Sequence, residues 1–270
     1  RVPSDLLSNL ISCLFLLFML NRGQTALRFR YNRSAFRDGT AKELLLTGLP
    51  ACLMTLFENI SYAVLGASMA QWGVAAQAGI GVAKKVNMLA HCMVRGMAQG
   101  VLPLIGYNYS ARNYRRMKEA SVYSMGLSVG LALAWTVASL ALSRQLVSIF
   151  IRGEGSAAVE DGALFLRILC LGGPFSACAY AIISFFQATG KGLRSFILAV
   201  LRKGVLDIPM MFLLDTLAPA SGVVMATPIT DMLCSAAAVA LFLCFLRTHS
   251  YKTEAVFVEM DSGKTLEARV

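Results

Sequence analysis

The chain contains 270 residues, of which 57% are hydrophobic and 15% charged, and its mean hydropathy is +0.63. This composition leaves too little polar surface to coat a water-soluble globule, so it excludes a soluble domain and predicts an integral membrane protein. The formal net charge is +10, and the basic residues occur in short clusters between apolar runs. This pattern is typical of the loops of a membrane protein, so we do not expect nucleic acid as a partner.

Seven apolar segments approach or exceed the length of about 20 residues that a helix needs to cross a bilayer, and they predict an all-α membrane protein. The first segment, residues 1–20, has neither the basic start nor the cleavage site of a signal peptide. We therefore interpret it as the end of a transmembrane helix within a longer protein. The predicted spans are 3–20, 43–68, 75–105, 119–142, 163–188, 196–216 and 222–246.

Lysine and arginine are concentrated in alternate loops. The basic set comprises the linker 21–42, the loop 112–118, the loop 191–194 and the tail 248–270. Because cytoplasmic loops carry the excess of positive charge, the linker and the tail are predicted to face the cytoplasm. Residues 43–247 then form a transmembrane unit of six helices that starts and ends inside.

Polar residues recur at helical spacing on the third and fifth spans, which predicts helix faces turned away from lipid. Hydrogen bonding within the bundle is one explanation, and extension of the two basic side chains to the membrane surfaces is another. The length of the stripe favours a water-accessible cleft. The predicted lining residues are Gln77, Lys84, His91, Arg95 and Gln99 on the third span and Ser176, Tyr180 and Gln187 on the fifth.

Glu58 lies about halfway along the second span, on a helix face shared with Thr55 and Tyr62. An ionised carboxylate at this depth is costly unless it is paired, protonated or bound to a cation. Glu58 is therefore the predicted binding site for a coupling H⁺ or Na⁺, with Thr55 and Tyr62 as further lining candidates. The structural alternative is a permanently protonated carboxyl group that is hydrogen-bonded within the bundle.

Asp207 and Asp231 are secondary acidic candidates. Lys203 precedes Asp207 by four residues and is a local partner for an ion pair. Asp231 lies near the outer end of the last span, where a hydrated helix terminus explains it equally well. The seven cysteines show no CxxC spacing and the two histidines have no neighbouring nucleophile pattern, so we predict no cofactor, no metal beyond Na⁺ at Glu58 and no enzymatic activity.

Five segments of the chain form a recognisable set: Gln99–Arg116, Gly48–Pro50 with Leu56–Glu58, Ala75–Gly81, Gln187–Gly190 and Pro228–Asp231. Together they resemble the multidrug and toxic compound extrusion (MATE) family, in particular its bacterial drug exporters. The resemblance extends from Lys42 to Leu246. The stretch around Tyr107 is the most specific part of it.

The resemblance implies a twelve-helix antiporter of two six-helix lobes, in which this chain supplies the C-terminal lobe and the end of the preceding helix. Its expected partners are membrane lipids, drug-like substrates and the N-terminal lobe of the same protein. Family members export organic, mainly cationic compounds by alternating access against an inward flow of H⁺ or Na⁺. We therefore expect multidrug efflux across the bacterial cytoplasmic membrane.

The resemblance also assigns a role to Glu58, because it falls at the position of the family's acidic residue in the seventh helix. That position implies binding of the coupling cation. The Na⁺-coupled branch of the family has a further aspartate in its tenth helix, whereas the corresponding span here, 163–188, has no acid within the membrane. The choice between H⁺ and Na⁺ therefore stays open at this point.

Two other functions are consistent with the sequence. A flippase for lipid-linked oligosaccharides, from the same superfamily, would hold a pyrophosphate with basic residues, and Lys84 and Arg95 keep this alternative open. The second alternative is a half-transporter fragment that has no transport activity. A cleft with negative potential would favour the drug exporter over the flippase.

Overall fold

Helices account for all the regular secondary structure of the residues that the computed structural model describes, which are 2–21, 40–151, 156–218 and 220–267. Most of the predicted linker 21–42 lies outside these residues. Helix α1 belongs to a first compact unit, Arg1–Leu45, and the remaining elements lie chiefly in a second unit, Leu46–Val270. The elements are α1 (Val2–Asn21), α2 (Thr40–Ala70), α3 (Val74–Ser110), α4 (Tyr114–Ser148), α5 (Ser156–Leu171), α6 (Gly173–Ala188), α7 (Gly192–Val200), the π-helix π1 (Leu201–Leu206), α8 (Asp207–Leu217) and α9 (Ser221–Glu267).

Two of the predicted spans are interrupted helices. The fifth divides into α5 and α6, which are bent by 44°. Pro174 stands in the first turn of α6. Its missing N–H is tolerated at that position, whereas a proline in the middle of one continuous helix would break the hydrogen-bond ladder. The sixth divides into α7, π1 and α8. The other predicted spans each fall within one helix, and α9 continues into the predicted tail because residues 229–262 contain no proline or glycine.

The long helices have the length and surface that a bilayer requires. Three of them, within Val74–Ser110, Tyr114–Ser148 and Ser221–Arg247, are long and apolar enough to cross a membrane, and the bent pair α5–α6 adds a fourth if it counts as one span. Their outward faces carry large apolar side chains, which lipid can solvate and water cannot. Examples of these exposed side chains are Leu104, Leu127, Leu133, Val137 and Leu243.

Small residues set the closest helix approach in the second unit. A methyl group at Gly79 of α3 would lie 2.8 Å from the backbone nitrogen of Gly162 in α5, so these two glycines allow the helix backbones to touch. Helix α4 presents a buried stripe of small polar residues to the same bundle, including Ser128, Ser139 and Ser143. The contacts hold α3, α4 and α5 together through van der Waals packing.

Three apolar clusters of the described residues complete the interior, and the smallest joins Val94, Ala132, Ala177 and Tyr180. The first surrounds the α3–α5 contact and includes Leu65, Ile80, Leu166, Met211 and Val223. The second joins α6 to α9 through phenylalanine rings that meet edge to face, a favoured geometry for aromatic pairs. Their centroid distances run from 4.9 to 5.8 Å. The aromatic residues of this second cluster are Phe185, Phe186, Phe242 and Phe245.

We predict that Gly79→Ala destabilises the protein by about 1–3 kcal/mol, because the added methyl group overpacks the contact with Gly162. Gly96→Ala is the matched control on the same helix, since a methyl group there meets no atom within 4 Å. The control should be neutral or stabilising by up to about 1 kcal/mol, as alanine favours helix. Thermal unfolding of the purified protein in detergent measures both, and equal melting temperatures would contradict the close contact.

Candidate functional site

A cavity of about 480 Å³ lies between α2 and α3. The residues that line it are spaced by three or four positions along each helix, so each helix contributes one continuous face. Its walls combine apolar surface with charged groups. The lining residues are Thr55, Glu58, Asn59 and Tyr62 of α2 and Gly81, Lys84, Lys85, Met88, His91, Cys92 and Arg95 of α3.

Glu58 lies in the wall of this cavity and is buried, with 8% of its surface exposed. Arg95 Nη2 lies 2.5 Å from Glu58 Oε2 and donates to the Tyr180 hydroxyl at 2.9 Å. The Tyr180 hydroxyl in turn donates to Glu58 Oε1 at 2.6 Å. Both carboxylate oxygens therefore have a donor, and one of them has a counter-charge, which meets the requirement for an ionised carboxylate away from water.

His91 connects the cavity wall to α6. Its Nδ1 lies 3.2 Å from Ser176 Oγ, and its Nε2 lies 3.2 Å from the amide nitrogen of Asn87. The His91 ring also meets the Tyr180 ring at an angle of 72° with a centroid distance of 6.2 Å. Helices α3 and α6 thus share a hydrogen-bonded seam directly beside the Glu58 carboxylate.

A second group of charges lies deeper in the bundle. Arg202 Nε donates to Asp231 Oδ1 at 2.6 Å, and Lys203 Nζ lies 3.8 Å from the same oxygen. Lys203 also donates to Asp207 at 3.2 Å. All four side chains are buried. The guanidinium carbon of Arg202 lies 4.3 Å from the centre of the Tyr180 ring, so Tyr180 contacts both Arg202 and Glu58.

Asp207 is held by neutral donors as well as by Lys203. The hydroxyl of Ser61 on α2 donates to one carboxylate oxygen at 2.5 Å, and that of Thr230 on α9 donates to the other at 2.9 Å. Asp207 therefore joins α2, α8 and α9. The helix π1 places the adjacent residues Arg202 and Lys203 in the interior, and such π-turns inside α-helices frequently mark functional sites.

Lys84 and Lys85 stand at the other end of the cavity wall. Lys84 Nζ donates to the backbone carbonyl of Tyr62 at 2.7 Å and lies 5.4 Å from the Tyr62 ring centre. The side chain of Lys85 is exposed. Arg95 brings the number of cationic side chains in the wall to three, against one acid, Glu58.

The structure brings most of the predicted site residues together. Thr55, Tyr62, Lys84, His91 and Arg95 line the cavity with Glu58, while Ser176 and Tyr180 contact its wall from α6. Lys203 is the partner of Asp207, as the four-residue spacing predicted.

Three of the predicted lining residues neither line the cavity nor contact its wall. Gln77 and Gln99 are exposed near the two ends of the predicted stripe, because α3 is longer than the cavity. Gln187 is partly buried near the end of α6 and is not in the wall either. Asp231 does not lie at a hydrated helix end, since only 1% of its surface is exposed and it forms an ion pair with Arg202.

Sequence reasoning missed Arg202, which is 2% exposed and contacts both Asp231 and the Tyr180 ring. The signal was present, because two adjacent cations inside a predicted span are costly in lipid and point to buried partners. Within the described residues, no cluster of three or more His, Cys, Asp or Glu side chains has the arrangement of a metal site.

Comparison with known proteins gives consistent results. The MatE family model matches residues 50–213. The multidrug export protein MepA of Staphylococcus aureus is 25% identical over 233 residues, which are 86% of this chain and 51% of that protein. MepA of Staphylococcus haemolyticus is 25% identical over 256 residues, which are 94% of this chain and 55% of that protein. The chain thus spans about half the length of the curated relatives it matches.

Solved structures share the fold. An outward-facing multidrug resistance MATE family transporter of the MOP superfamily aligns with a TM-score of 0.79 and 21% identity, over 91% of this chain and 55% of that one. A Pyrococcus furiosus MOP superfamily transporter, described as having a binding pocket of reverse polarity, aligns with a TM-score of 0.78 and 22% identity over the same shares.

We predict that Asp231→Asn destabilises the protein by about 3–5 kcal/mol, because it leaves the buried Arg202 charge without its counter-charge. Glu160→Gln is the control, since its ion pair with Arg144, at 4.0 Å, is largely exposed and should contribute less than about 1 kcal/mol. Thermal unfolding in detergent measures both variants. The double variant Arg202→Met with Asp231→Leu should recover much of the loss, and a failure of Asp231→Asn to lower the melting temperature would contradict the pairing.

Proposed function

This chain belongs to the MatE family, as its sequence segments predicted, and we propose that it is the C-terminal lobe of a multidrug efflux transporter. The names of its MepA relatives support the activity. Six membrane crossings result if α5–α6 and α7–π1–α8 each count as one span beside α2, α3, α4 and α9. The N-terminal lobe of the same protein would supply the other six helices of a twelve-helix antiporter.

The proposed location is the bacterial cytoplasmic membrane, with the C-terminus in the cytoplasm. The support is the positive-inside pattern of the basic loops together with the apolar outer surface of the helices. Transport needs no bond to be made or broken, so the site acts by binding and release. Alternating exposure of the cavity to the two sides of the membrane would carry the cargo outward.

The Glu58 carboxylate at the cavity wall is the observation that carries the proposed coupling mechanism. When Glu58 is ionised, Arg95 and Tyr180 compensate its charge. Protonation removes that charge and releases the guanidinium of Arg95, which changes the contacts between α2, α3 and α6. A cationic cargo group that approaches Glu58 competes with the proton for the same carboxylate. Mutually exclusive binding of cargo and proton at one site is what antiport requires.

The contacts of Glu58 support H⁺ more than Na⁺ as the coupling ion. The guanidinium of Arg95 already occupies the place where a metal cation would meet the carboxylate. A Na⁺ ion would have to enter beside that positive charge or displace it, and like charges at this distance repel strongly where water is scarce. An organic cation meets the same repulsion but offsets it by apolar contacts with the cavity wall, which Na⁺ cannot make. A proton binds directly to one carboxylate oxygen and needs no set of oxygen ligands.

A lipid-linked oligosaccharide flippase is the second candidate function. The observation that favours it is the excess of cationic side chains in the cavity wall, which suits a pyrophosphate group. The pairing of Arg95 with Glu58 weakens this support, because it removes one of the three cations from direct use by a ligand.

We expect Glu58→Gln to abolish active efflux of ethidium, because an amide can neither bind nor release the coupling cation. The assay uses cells without their own efflux pumps that express the complete natural protein, and efflux should fall to the rate of cells carrying an empty vector. Glu58→Asp, which keeps the carboxyl group, should retain part of the activity. Glu119→Gln is the matched control, as this exposed acid pairs with Arg115 outside the cavity.

Expression of each variant in the membrane fraction provides the necessary normalisation. Efflux by Glu58→Gln at the wild-type rate and at a comparable protein level would reject Glu58 as the coupling residue. A loss of efflux in Glu119→Gln of the same size would show that the assay responds to charge loss in general.

Proteoliposomes separate the two coupling ions. With the complete protein, we expect a pH gradient alone to drive ethidium transport and a Na⁺ gradient alone to have no effect. Arg95→Gln should respond to Na⁺ more than the wild type does, because the variant lacks the charge that excludes the metal ion. Transport by the wild type under a Na⁺ gradient at constant pH would contradict the assignment of H⁺.

A further inference from the structure

Lys84 and Lys85 are adjacent cations in the wall of the cavity, and the mechanism proposed above does not use them. They differ from three other cations of the bundle. Arg95, Arg202 and Lys203 each form an ion pair with an acid. No acid of the described part of the chain pairs with Lys84 or Lys85.

The ammonium group of Lys84 is fixed in position and keeps unused donors. One of its three N–H groups donates to the Tyr62 carbonyl at 2.7 Å, which leaves two for a ligand. Extension toward lipid headgroups is the usual reason for a lysine near the end of a span. The contact with the backbone of α2 holds Lys84 Nζ across the cavity instead, and the exposed Lys85 lies beside it in the same wall.

The net charge of the cavity wall differs along its length, because Arg95 compensates Glu58 whereas no acid of the described residues pairs with the two lysines. Tyr62, which fixes Lys84, is one helical turn beyond Glu58 on α2, a separation of about 6 Å along the helix axis. The acid therefore lies toward one end of the wall and the lysine pair toward the other. Tyr62 and Met88 offer apolar contact surface in the wall as well.

We propose that Lys84 and Lys85 form an anion subsite that binds a carboxylate of the cargo, so that the cavity selects amphipathic compounds carrying both a carboxylate and a cationic group. The proposal rests on the proposed function, because the cationic group of the cargo is the one that competes for Glu58. The two lysines offer point charges and mobile donors, which suit a carboxylate or a phosphate alike. A lipid phosphate is therefore the alternative source of the anion.

The test compares two dyes that differ in one charge. Rhodamine B carries a cationic ring system and a carboxylate, and its ethyl ester keeps the cation alone. Binding is measured by fluorescence polarisation with the complete natural protein in nanodiscs of phosphatidylcholine, in a buffer without phosphate. We expect the wild type to bind rhodamine B about fivefold more tightly than the ester, the scale of a partly exposed ion pair.

Lys84→Gln and Lys85→Gln should each reduce this preference, because they weaken the binding of rhodamine B more than that of the ester. Two variants are used because Lys85 is exposed and its substitution leaves the contact between Lys84 and Tyr62 intact. Lys118→Gln is the control, as this exposed lysine of α4 lies outside the cavity wall. It should bind both dyes as the wild type does.

Equal affinity of the wild type for the two dyes, or an equal loss of both dyes in Lys84→Gln and Lys85→Gln, would overturn the proposal. A second arm adds phosphatidylglycerol to the nanodiscs. If this lipid suppresses rhodamine B binding by the wild type but not by Lys85→Gln, the anion is a lipid headgroup and the cargo assignment is wrong. The binding readout is independent of the coupling ion, so either result leaves the efflux test of Glu58 unaffected.

Discussion

Compensation of buried charge is the constraint on which this bundle depends. Three acids are buried in the described residues, and each lies against a cation. In two of the three cases, Glu58 with Arg95 and Asp231 with Arg202, the partners come from different spans, so the requirement for charge pairing also determines which helices stay together. Glu58 draws α2, α3 and α6 to one point through Arg95 and Tyr180, and Asp231 ties α9 to π1. In a low-dielectric interior none of these groups can be left alone at small cost.

Much of the fold could be predicted from the sequence, because span length and apolar surface are local properties that lipid imposes directly. The interruptions were harder to predict. Pro174 gave a local signal for the bend between α5 and α6, but the π-helix at Leu201–Leu206 has no comparable signature, since it follows from where Arg202 and Lys203 find their partners. Tertiary contacts decided this part of the backbone.

Most residues of the candidate site could be predicted from the sequence, but the contacts between them could not. Burial cost identified Glu58, and helical spacing identified His91 and Arg95, yet no spacing rule links residue 58 to residue 95 or to Tyr180, because the distances depend on how three helices cross. The same limit explains why the stripe on α3 was extended too far. Helical periodicity defines a face along the whole helix, whereas a cavity occupies only the part of that face where the neighbouring helix is not in contact.

The two sides of the cavity are built from different kinds of contact. Helix α3 is fixed to α5 by backbone contact at Gly79, and the far end of α2 is anchored by Leu65 and Met69 in an apolar cluster. At the level of the cavity, the described links between α2 and α3 are the ion pair of Glu58 with Arg95 and the hydrogen bond from Lys84 to the Tyr62 carbonyl. Displacing this stretch of α2 would break these charged contacts and leave the apolar packing of α3 against α5 intact. The energetic penalty therefore falls when water or a proton takes over the compensation of the Glu58 charge.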